Sequence, residues 1–497
     1  MSIARLPTTG GALFGRDPEL AWLDRCWDEG VRVVSIVAWG GVGKSALVNA
    51  WLRGMDGAGW RGAERVFGWS FYSQGTDRLS SSDEFIEAAL KRFGDPDPRV
   101  GSPWDKGERL AALVREKRTI LVLDGVEPMQ WGPGVEAGKF KDPALKALVK
   151  ELGAQNKGLC LITTRIDVAD LEALIGDTVE THRLDQLSME AGSELLKARG
   201  ARGTEEELQA ATKEYDGHCL ALTLLGGYIR KRHKGDLRQR IHIPLLEGTP
   251  AQRMMGIYKR WFARKPEIAV LRLLGLFDRP ALEDEIAALR AKPPIPSLTM
   301  FFKGLKAGAW NNAVTALKDV GLLAPGSEGD ERLDAHPLVR EYFAELLRRE
   351  HPAAWREGHR RLYEHLKGKA KPLPETVEDM APLYAAVIHG CLAGVGPQAF
   401  VDVYWHRIHR EEEHFNMGLP GAFSAETAML SAFFDPPWDL VPGLPAGIRA
   451  AVLNRAGFAL SALGQTTEGA RLTQLGLNHR ARFSNNITPP ADLLPEG

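Results

Sequence analysis

The feature that most restricts the fold is a strand, a glycine-rich loop and a helix that follow one another between residues 31 and 52. The run VRVVSIVAWGG has the β-branched residues of a short buried strand and ends in glycines. From Ser45 to Leu52 the apolar residues recur at the spacing of a helix that packs on a sheet. The order predicts one β-loop-α unit of an α/β domain.

Three further apolar runs repeat this alternation along the chain. They are VFGWSFYS at 66–73, TILVLDGV at 119–126 and GLCLITT at 158–164, and amphipathic stretches such as DEFIEAALKRF separate them. Such alternation predicts a parallel sheet with helices on both faces. At 497 residues the chain is too long for one hydrophobic core, so we expect several domains.

The pattern changes in the second half of the chain. From about residue 185 it is helical, and residues 242–256 have the proline and glycine of a linker. Helices followed by GLLAP, a GSEGDE turn and RLDAHPLVREYF predict a winged-helix domain, and HGCLAG and LNRAGFALSALGQ share a small-residue spacing typical of helix-pair repeats. We therefore predict a multidomain α/β and α protein with an N-terminal lead at 1–12, a P-loop domain at 13–180, a helical domain at 181–248, a winged-helix domain at 249–350, helical and degenerate TPR-like repeats at 351–480 and a disordered tail at 481–497.

Charge and cysteine content exclude some classes of protein. The 63 basic and 64 acidic residues leave a formal charge of −1, which provides no field that attracts nucleic acid or anionic membrane. The four cysteines lie far apart and without metal-ligand spacing, as in a protein with reduced thiols. No signal peptide or run of membrane-spanning length is present in the sequence, so we expect a cytoplasmic location.

Residues 38–45, AWGGVGKS, have the spacing of a P-loop, with Ala38 in place of the first glycine. A polyphosphate needs inward-facing backbone N–H groups, a helix N-terminus, a cation for the β and γ oxygens and a hydroxyl for Mg²⁺. Lys44 supplies the cation and Ser45 the hydroxyl. We predict that ATP or ADP binds here with Mg²⁺, in contact with Gly40, Gly41, Val42, Gly43, Lys44, Ser45 and Ala46.

Three further residues are candidates for the chemistry of this site. Asp124 ends an apolar strand where open α/β sheets place ligands, so we expect it to share Mg²⁺ with Ser45 rather than to cap a turn. Glu127 either orients an attacking water or is a solvent-facing loop acid. Arg165 follows another apolar strand, and we favour a γ-phosphate sensor over an ordinary surface arginine.

Six motifs occur in one order along residues 12–350. They are LFGRDPEL, AWGGVGKSAL, LVLDGVE, LITTR, GHCLALTLLGG and DAHPLVREYF. Together they resemble the NB-ARC-like group of the STAND class of signal-transduction ATPases, which includes plant disease-resistance proteins and apoptotic scaffold ATPases. The resemblance implies that Lys44 and Ser45 hold phosphate and Mg²⁺, that Asp124 is the Walker B acid and that Arg165 is the sensor.

The resemblance also implies contacts from outside the P-loop. Arg16 is expected to contact the nucleotide, and His336 to touch the β-phosphate of ADP and lock a closed state, although by itself this histidine reads as a core or turn residue before a proline. Cys219 stands where the family has a proline that packs against adenine. Gly125 stands where many members have a second acid, so we expect slow ATP hydrolysis or none.

The leading hypothesis is a switch in which exchange of ADP for ATP opens the chain to oligomerise or to recruit a protein partner through its C-terminal helices. One alternative is a transcription regulator that binds DNA through the winged helix, but the candidate recognition helix at 310–320 offers only Lys318 as a cation. Another is a remodelling ATPase, which needs fast turnover and an arginine finger. Because about a dozen residues precede LFGR, we expect either that the output lies elsewhere or that the chain is a truncated form of a longer protein.

Overall fold

The computed structural model describes residues 2–482 except 8, 10, 11, 72–81, 133, 135, 244, 245, 306, 307, 326–331, 420, 421, 436, 437, 441 and 442. The chain forms two compact units, each assembled from three segments. The first comprises Met1–Gly75, Ala111–Phe140 and Leu148–Trp355, and the second comprises Thr76–Leu110, Lys141–Ala147 and Arg356–Gly497.

A six-stranded parallel sheet lies in the first unit, with the strand order β1-β3-β4-β5-β2-β6. The four strands expected from apolar runs are present, and β2, β4 and β5 are buried along their whole length, as strands covered on both faces are. The strands are β1 Ser2–Arg5, β2 Val33–Val37, β3 Arg65–Ser70, β4 Thr119–Asp124, β5 Leu159–Thr164 and β6 Val179–Arg183.

Two strands of this sheet lack an apolar run and had no counterpart in the sequence-based prediction. β1 falls in the segment predicted as an N-terminal lead and pairs with β3. β6 reads VETHR, is only partly buried and crosses the predicted domain boundary at residue 180. Both are edge strands, and an edge strand does not need the continuous apolar sequence of a central one.

Nineteen α-helices lie within the described part of the chain. The first thirteen are α1 Asp17–Glu29, α2 Lys44–Gly57, α3 Asp83–Phe93, α4 Pro103–Arg115, α5 Pro143–Ala154, α6 Met189–Ala198, α7 Glu205–Glu214, α8 Cys219–His233, α9 Pro250–Trp261, α10 Pro266–Leu274, α11 Glu283–Arg290, α12 Ala309–Asp319 and α13 Pro337–Glu350. The others are α14 Pro352–Lys369, α15 Val377–Ala393, α16 Gly396–Ala399, α17 Ala422–Leu430, α18 Ala446–Ala462 and α19 Thr466–Arg482.

The core of the first unit includes a layer between the sheet and the helices on either side of the glycine-rich loop. Trp27 of α1 and Trp51 of α2 pack with Val34 of β2, Val122 of β4 and Leu161 of β5, and all five are buried. Helix α1 is followed by Gly30, whose φ of 77° suits a left-handed cap. This packing places the start of α2 at the carboxyl edge of the sheet.

The predicted winged helix falls on α9–α13 of the first unit. The Ala324 N–H donates to the Asp334 carbonyl at 2.9 Å, and Leu333 forms an antiparallel bridge with Ala281. The predicted turn at 326–331 lies outside the described residues, so the wing remains a prediction.

The second unit is almost entirely helical. Its core includes Met380 of α15, Leu430 of α17 and Leu453 of α18, together with Tyr404 of a π-helix over Phe400–His409. A two-stranded antiparallel ribbon joins β7 Phe434–Asp435 to β8 Asp439–Leu440. These helices confirm the helical C-terminal region, and α18 and α19 pack as a pair.

Helix α19 reaches Arg482, and the rest of the predicted tail lies outside the described residues. Among the residues that the structure describes, no helix is both long enough and apolar enough to cross a membrane.

Candidate nucleotide-binding site

The loop between β2 and α2 has a backbone suited to close approach by a phosphate group. The φ angles of Gly41 and Gly43 are 80° and 115°, which residues with a side chain rarely adopt. A Cβ added at Gly43 would meet nothing within 4 Å, so backbone strain, not crowding, favours glycine there. Because α2 begins at Lys44, its unpaired N–H groups and the positive end of its dipole lie directly behind this loop.

Lys44 is 6% exposed and lies under the P-loop. Its Nζ donates to the carbonyl oxygens of Ala38 at 2.6 Å and Trp39 at 3.2 Å, and it lies 3.8 Å from Glu127 Oε1. Burial lowers the pKa of Lys44, whereas the Glu127 and Asp124 carboxylates raise it. A desolvated ammonium beside a helix N-terminus is a group that a polyphosphate stabilises.

Asp124, at the end of β4, is 1% exposed and accepts three hydroxyl hydrogen bonds. Its Oδ1 accepts from Ser45 Oγ at 2.8 Å and Thr163 Oγ1 at 2.7 Å, and its Oδ2 accepts from Ser70 Oγ at 3.2 Å. Burial raises the pKa of Asp124, and the three hydroxyls lower it. The hydroxyl and the carboxylate expected to share Mg²⁺ are therefore in contact, and both offer the oxygen ligands that Mg²⁺ prefers.

The contact between Ser45 and Asp124 depends on the register of the sheet. Ser70 lies beside Asp124 and Val37 beside Thr164, and Leu123 pairs with Ile162, so four neighbouring strands end within one residue of the same level. β5 lies between β2, which leads into the P-loop, and β4, which carries Asp124. Thr163 of β5 thereby contacts Asp124 and also accepts from the Gly125 N–H at 2.8 Å, which restrains the turn after β4.

Glu127 and Arg165 lie in a chain of ion pairs at the same edge. Glu127 Oε1 is 3.8 Å from both Lys44 Nζ and Arg165 Nε, and Arg165 is 3.6 Å from Glu341 of α13. Glu127 is 11% exposed, so it is not a solvent-facing acid. The structure thus brings Glu127 and Arg165 together with Lys44.

Arg16 and Cys219 belong to the first unit and lie close enough for the Arg16 charge to act on the Cys219 thiol. The Arg16 guanidinium donates to Glu19 Oε1 at 2.9 Å and to the Asp185 carbonyl at 2.6 Å. Cys219 is partly buried, which raises the pKa of its thiol, and the Arg16 charge opposes that shift. Both residues belong to the predicted nucleotide set, and Arg16 already has protein partners.

His336 caps the N-terminus of α13, where its Nδ1 accepts from the Leu338 N–H at 3.2 Å. Removal from water and, to a smaller extent, the positive charges of Arg165, Arg340 and Lys44 together lower the pKa of His336 to about 3. The imidazole is therefore neutral at physiological pH. Its electrostatic neighbours include the P-loop lysine and the predicted sensor arginine.

This pKa predicts a measurable loss of stability in acid. Unfolded His336 takes up a proton below a pH of about 6.5 and folded His336 does not, so its contribution is complete above that pH and is lost as the pH falls towards about 3. We expect His336→Asn, which retains a capping acceptor, to reduce the acid dependence of the unfolding free energy by at most about 1.4 kcal/mol per pH unit. Urea unfolding of wild type and His336→Asn at pH 7 and pH 5 measures this difference. An equal loss of unfolding free energy in the two proteins would contradict a neutral, buried His336.

Several residues at this site had no assigned role in the sequence-based prediction. Ser70 and Thr163 contact Asp124, and Glu341 contacts Arg165. His218, which directly precedes α8, places its ring against the P-loop. The polar ends of the strand runs were a signal for Ser70 and Thr163, whereas the sequence pattern offers none for Glu341.

By sequence, neither a protein-family model nor a curated protein matches this chain. Among solved structures, the chain is similar to a signal-transduction ATPase with numerous domains (STAND) from Pyrococcus horikoshii that carries a tetratricopeptide repeat sensor. The TM-score is 0.53 at 15% identity, and the match covers 98% of this chain and 67% of that one.

Two weaker structural matches are a Walker-type ATPase of Pyrococcus abyssi and the ORC2 protein of Aeropyrum pernix in complexes with ADPNP and ADP. Their TM-scores are 0.32 and 0.34, at 16% and 14% identity. The matches cover 68% and 70% of this chain, and 98% of each of those chains.

The parallel sheet and the glycine-rich loop that leads into α2 define the fold of a P-loop NTPase. More particularly, the match over almost the whole chain shows that this fold is the one found in the STAND protein from Pyrococcus horikoshii.

Proposed function

We propose that this chain binds ATP and ADP with Mg²⁺ and acts as a regulatory switch of the STAND type. The observation that carries the proposal is the 2.8 Å contact between Ser45 Oγ and Asp124 Oδ1, beside the buried ammonium of Lys44. A hydroxyl, a carboxylate, a cation and the N–H groups of one helix start are the groups that bind a magnesium polyphosphate. Bound Mg²⁺, held by Ser45 and Asp124, would neutralise charge on the phosphate oxygens.

The switch part of the proposal rests on groups that reach the P-loop from elsewhere in the first unit. His336, at the start of α13, lies within the electrostatic reach of Lys44 and Arg165 at the site, of Arg340 on α13 and of His218 beside α8. A nucleotide shifts a conformational equilibrium only when it binds the two states with different affinity. Contacts from separate helices provide that difference, because opening removes some of them.

Slow hydrolysis fits the same geometry. Glu127 lies in ion pairs with Lys44 and Arg165, and Gly125 offers no side chain next to Asp124. A carboxylate engaged by two cations is a weaker proton acceptor than a free one. We therefore infer a protein whose state depends on which nucleotide it holds rather than on rapid turnover.

The partner and the output are part of the proposal. The Pyrococcus horikoshii protein has a tetratricopeptide repeat sensor, and we propose that α14–α19 serve this chain as a surface for a protein partner, with self-association after nucleotide exchange. DNA binding through α12 has little support, because Lys318 is the one basic residue of that helix and Asp319 pairs with Lys231 at 2.7 Å.

The switch proposal predicts that the purified protein retains ADP and that His336→Ala releases it faster. Loss of one hydrogen bond to a charged phosphate costs about 1.5–3 kcal/mol, which corresponds to a dissociation rate about 10- to 100-fold higher. Chromatography of the nucleotide released by denaturation identifies the ligand, and displacement of a fluorescent ADP analogue measures the rate.

His351→Ala is a matched control, because it removes another histidine whose burial lowers its pKa but leaves the Leu338 cap intact. An unchanged ADP dissociation rate in His336→Ala would rule out the locking role. Absence of any bound or bindable adenine nucleotide would contradict the proposed function itself.

A further inference from the structure

The P-loop is held from its outer side by the start of α8. His218 is 6% exposed, and its Nε2 lies 3.1 Å from the Gly40 carbonyl oxygen. The Leu220 N–H donates to the Gly41 carbonyl at 3.0 Å. Two consecutive carbonyl groups of the P-loop are therefore anchored to one helix terminus, 178 residues further along the chain.

The protonation state of His218 follows from its two hydrogen bonds. As the N-cap of α8, the ring accepts from the Ala221 N–H at Nδ1, at 3.3 Å. Because Nδ1 is an acceptor, the ring proton sits on Nε2, which then donates to the Gly40 oxygen. Burial lowers the pKa of His218, so this neutral form persists at physiological pH.

Anchoring the two carbonyls determines where the neighbouring N–H groups point. In a planar trans peptide, the C=O and the N–H of the same unit face opposite directions. The unit that contains the Gly40 carbonyl carries the Gly41 N–H, and the unit that contains the Gly41 carbonyl carries the Val42 N–H. With both oxygens turned to α8, both N–H groups point away from it, as a phosphate cradle requires.

The ring also limits movement of the loop. A Cβ added at Gly41 would lie 2.7 Å from His218 Cε1, so the imidazole packs directly on the loop backbone. With a φ of 80°, Gly41 has the flexibility to rotate its peptide units if the anchors are lost. Movement of α8 would therefore break the hydrogen bonds and free the cradle at the same time.

We propose that His218 is a positioning residue that orients the P-loop N–H groups for phosphate and makes nucleotide affinity depend on the position of α8. The inference rests on the proposed nucleotide binding and adds to it a coupling route that does not pass through His336. The ligand group whose binding depends on this orientation is the polyphosphate tail that ATP and ADP share.

Two substitutions of His218 test its hydrogen bond to the Gly40 carbonyl separately from its role as the N-cap of α8. In His218→Asn the side-chain oxygen still caps α8, but the amide is too short to reach Gly40; in His218→Gln the amide nitrogen takes approximately the place of Nε2. We expect His218→Asn to weaken ADP and ATP binding about 5- to 10-fold, the equivalent of one neutral hydrogen bond, and His218→Gln to stay within about 2-fold of wild type. Calorimetry on the nucleotide-stripped full chain gives both values.

Hydrogen exchange of the nucleotide-free protein is the second readout. The P-loop peptide should exchange faster in His218→Asn than in wild type or His218→Gln, at a temperature well below unfolding of all three. Equal affinity and equal exchange in His218→Asn and wild type would overturn the proposal, even if the melting temperature falls. Equal weakening by Asn and Gln would overturn the hydrogen-bond explanation.

Lys44→Ala distinguishes the two levels of inference. If Lys44→Ala abolishes binding and His218→Asn changes nothing, the positioning role fails and the nucleotide site stands. If the stripped wild-type protein binds neither ATP nor ADP, the proposed function fails first.

Discussion

Lys44→Ala is expected to raise the Kd for ATP and ADP by about 100-fold or more, which takes binding below detection in ordinary calorimetry. The Lys44 ammonium is buried under the P-loop, where a charge-assisted contact to phosphate is worth about 1.5–3 kcal/mol and a low dielectric strengthens it. Two such contacts account for the loss, since each 1.4 kcal/mol is about tenfold in Kd. Titration of stripped protein with each nucleotide in Mg²⁺ measures it.

The fold should survive this substitution, because removal of Lys44 also removes a desolvated charge. Lys139→Ala is the matched control, since it deletes a lysine whose ammonium pairs with Glu136 near the protein surface. If nucleotide binds to Lys44→Ala with the same heat as to wild type and to Lys139→Ala, the ligand binds elsewhere. That result would remove the basis of the proposed site.

Asp124→Asn is expected to abolish the effect of Mg²⁺ on ATP affinity and to reduce any turnover by about 100-fold or more. The substitution keeps the size of the side chain but removes the charge that Mg²⁺ needs. It also replaces one acceptor oxygen by an NH₂ group, so the three hydroxyls of Ser45, Ser70 and Thr163 no longer all have an acceptor. Titration of Mg²⁺ at fixed ATP, followed by steady-state phosphate release, measures both effects.

Asp142→Asn is the control for Asp124→Asn, because Asp142 is also buried but caps α5 through the Ala144 and Leu145 N–H groups. Asparagine caps helices well, so this variant should behave as wild type. A Mg²⁺ response that persists in Asp124→Asn would contradict its assignment as the metal-holding acid. Fast wild-type turnover that the substitution abolishes would favour a remodelling ATPase over a switch.

Local sequence was enough to predict the central part of the fold. Strand β2, the P-loop and α2 follow from β-branched residues, glycines and helical spacing that act within about twenty residues. The buried strands β4 and β5 were predicted for the same reason. Edge strands β1 and β6 were not, because their stability comes from pairing with β3 and β2, which no periodicity in their own sequence records.

In the candidate site, too, the sequence predicted some features and only the structure showed others. Lys44, Ser45 and Asp124 were predicted because their chemistry and their place at strand and helix ends are readable from the motifs. That Ser45 and Asp124 are in contact across 79 residues of chain depends on the order and register of the sheet. For Glu127, sequence left a water-orienting base and a solvent-facing acid both open, and burial beside Lys44 and Arg165 excluded the second.

By itself, the sequence determined a parallel α/β unit with a phosphate-binding loop, since backbone conformation there depends on local residue types. Only the tertiary structure decided that His218, rather than solvent, meets the Gly40 carbonyl, and that Thr163 and Ser70 support Asp124. Such contacts join segments far apart in the chain. Which atoms meet is set by how helices and strands pack, and packing is a property of the folded chain as a whole.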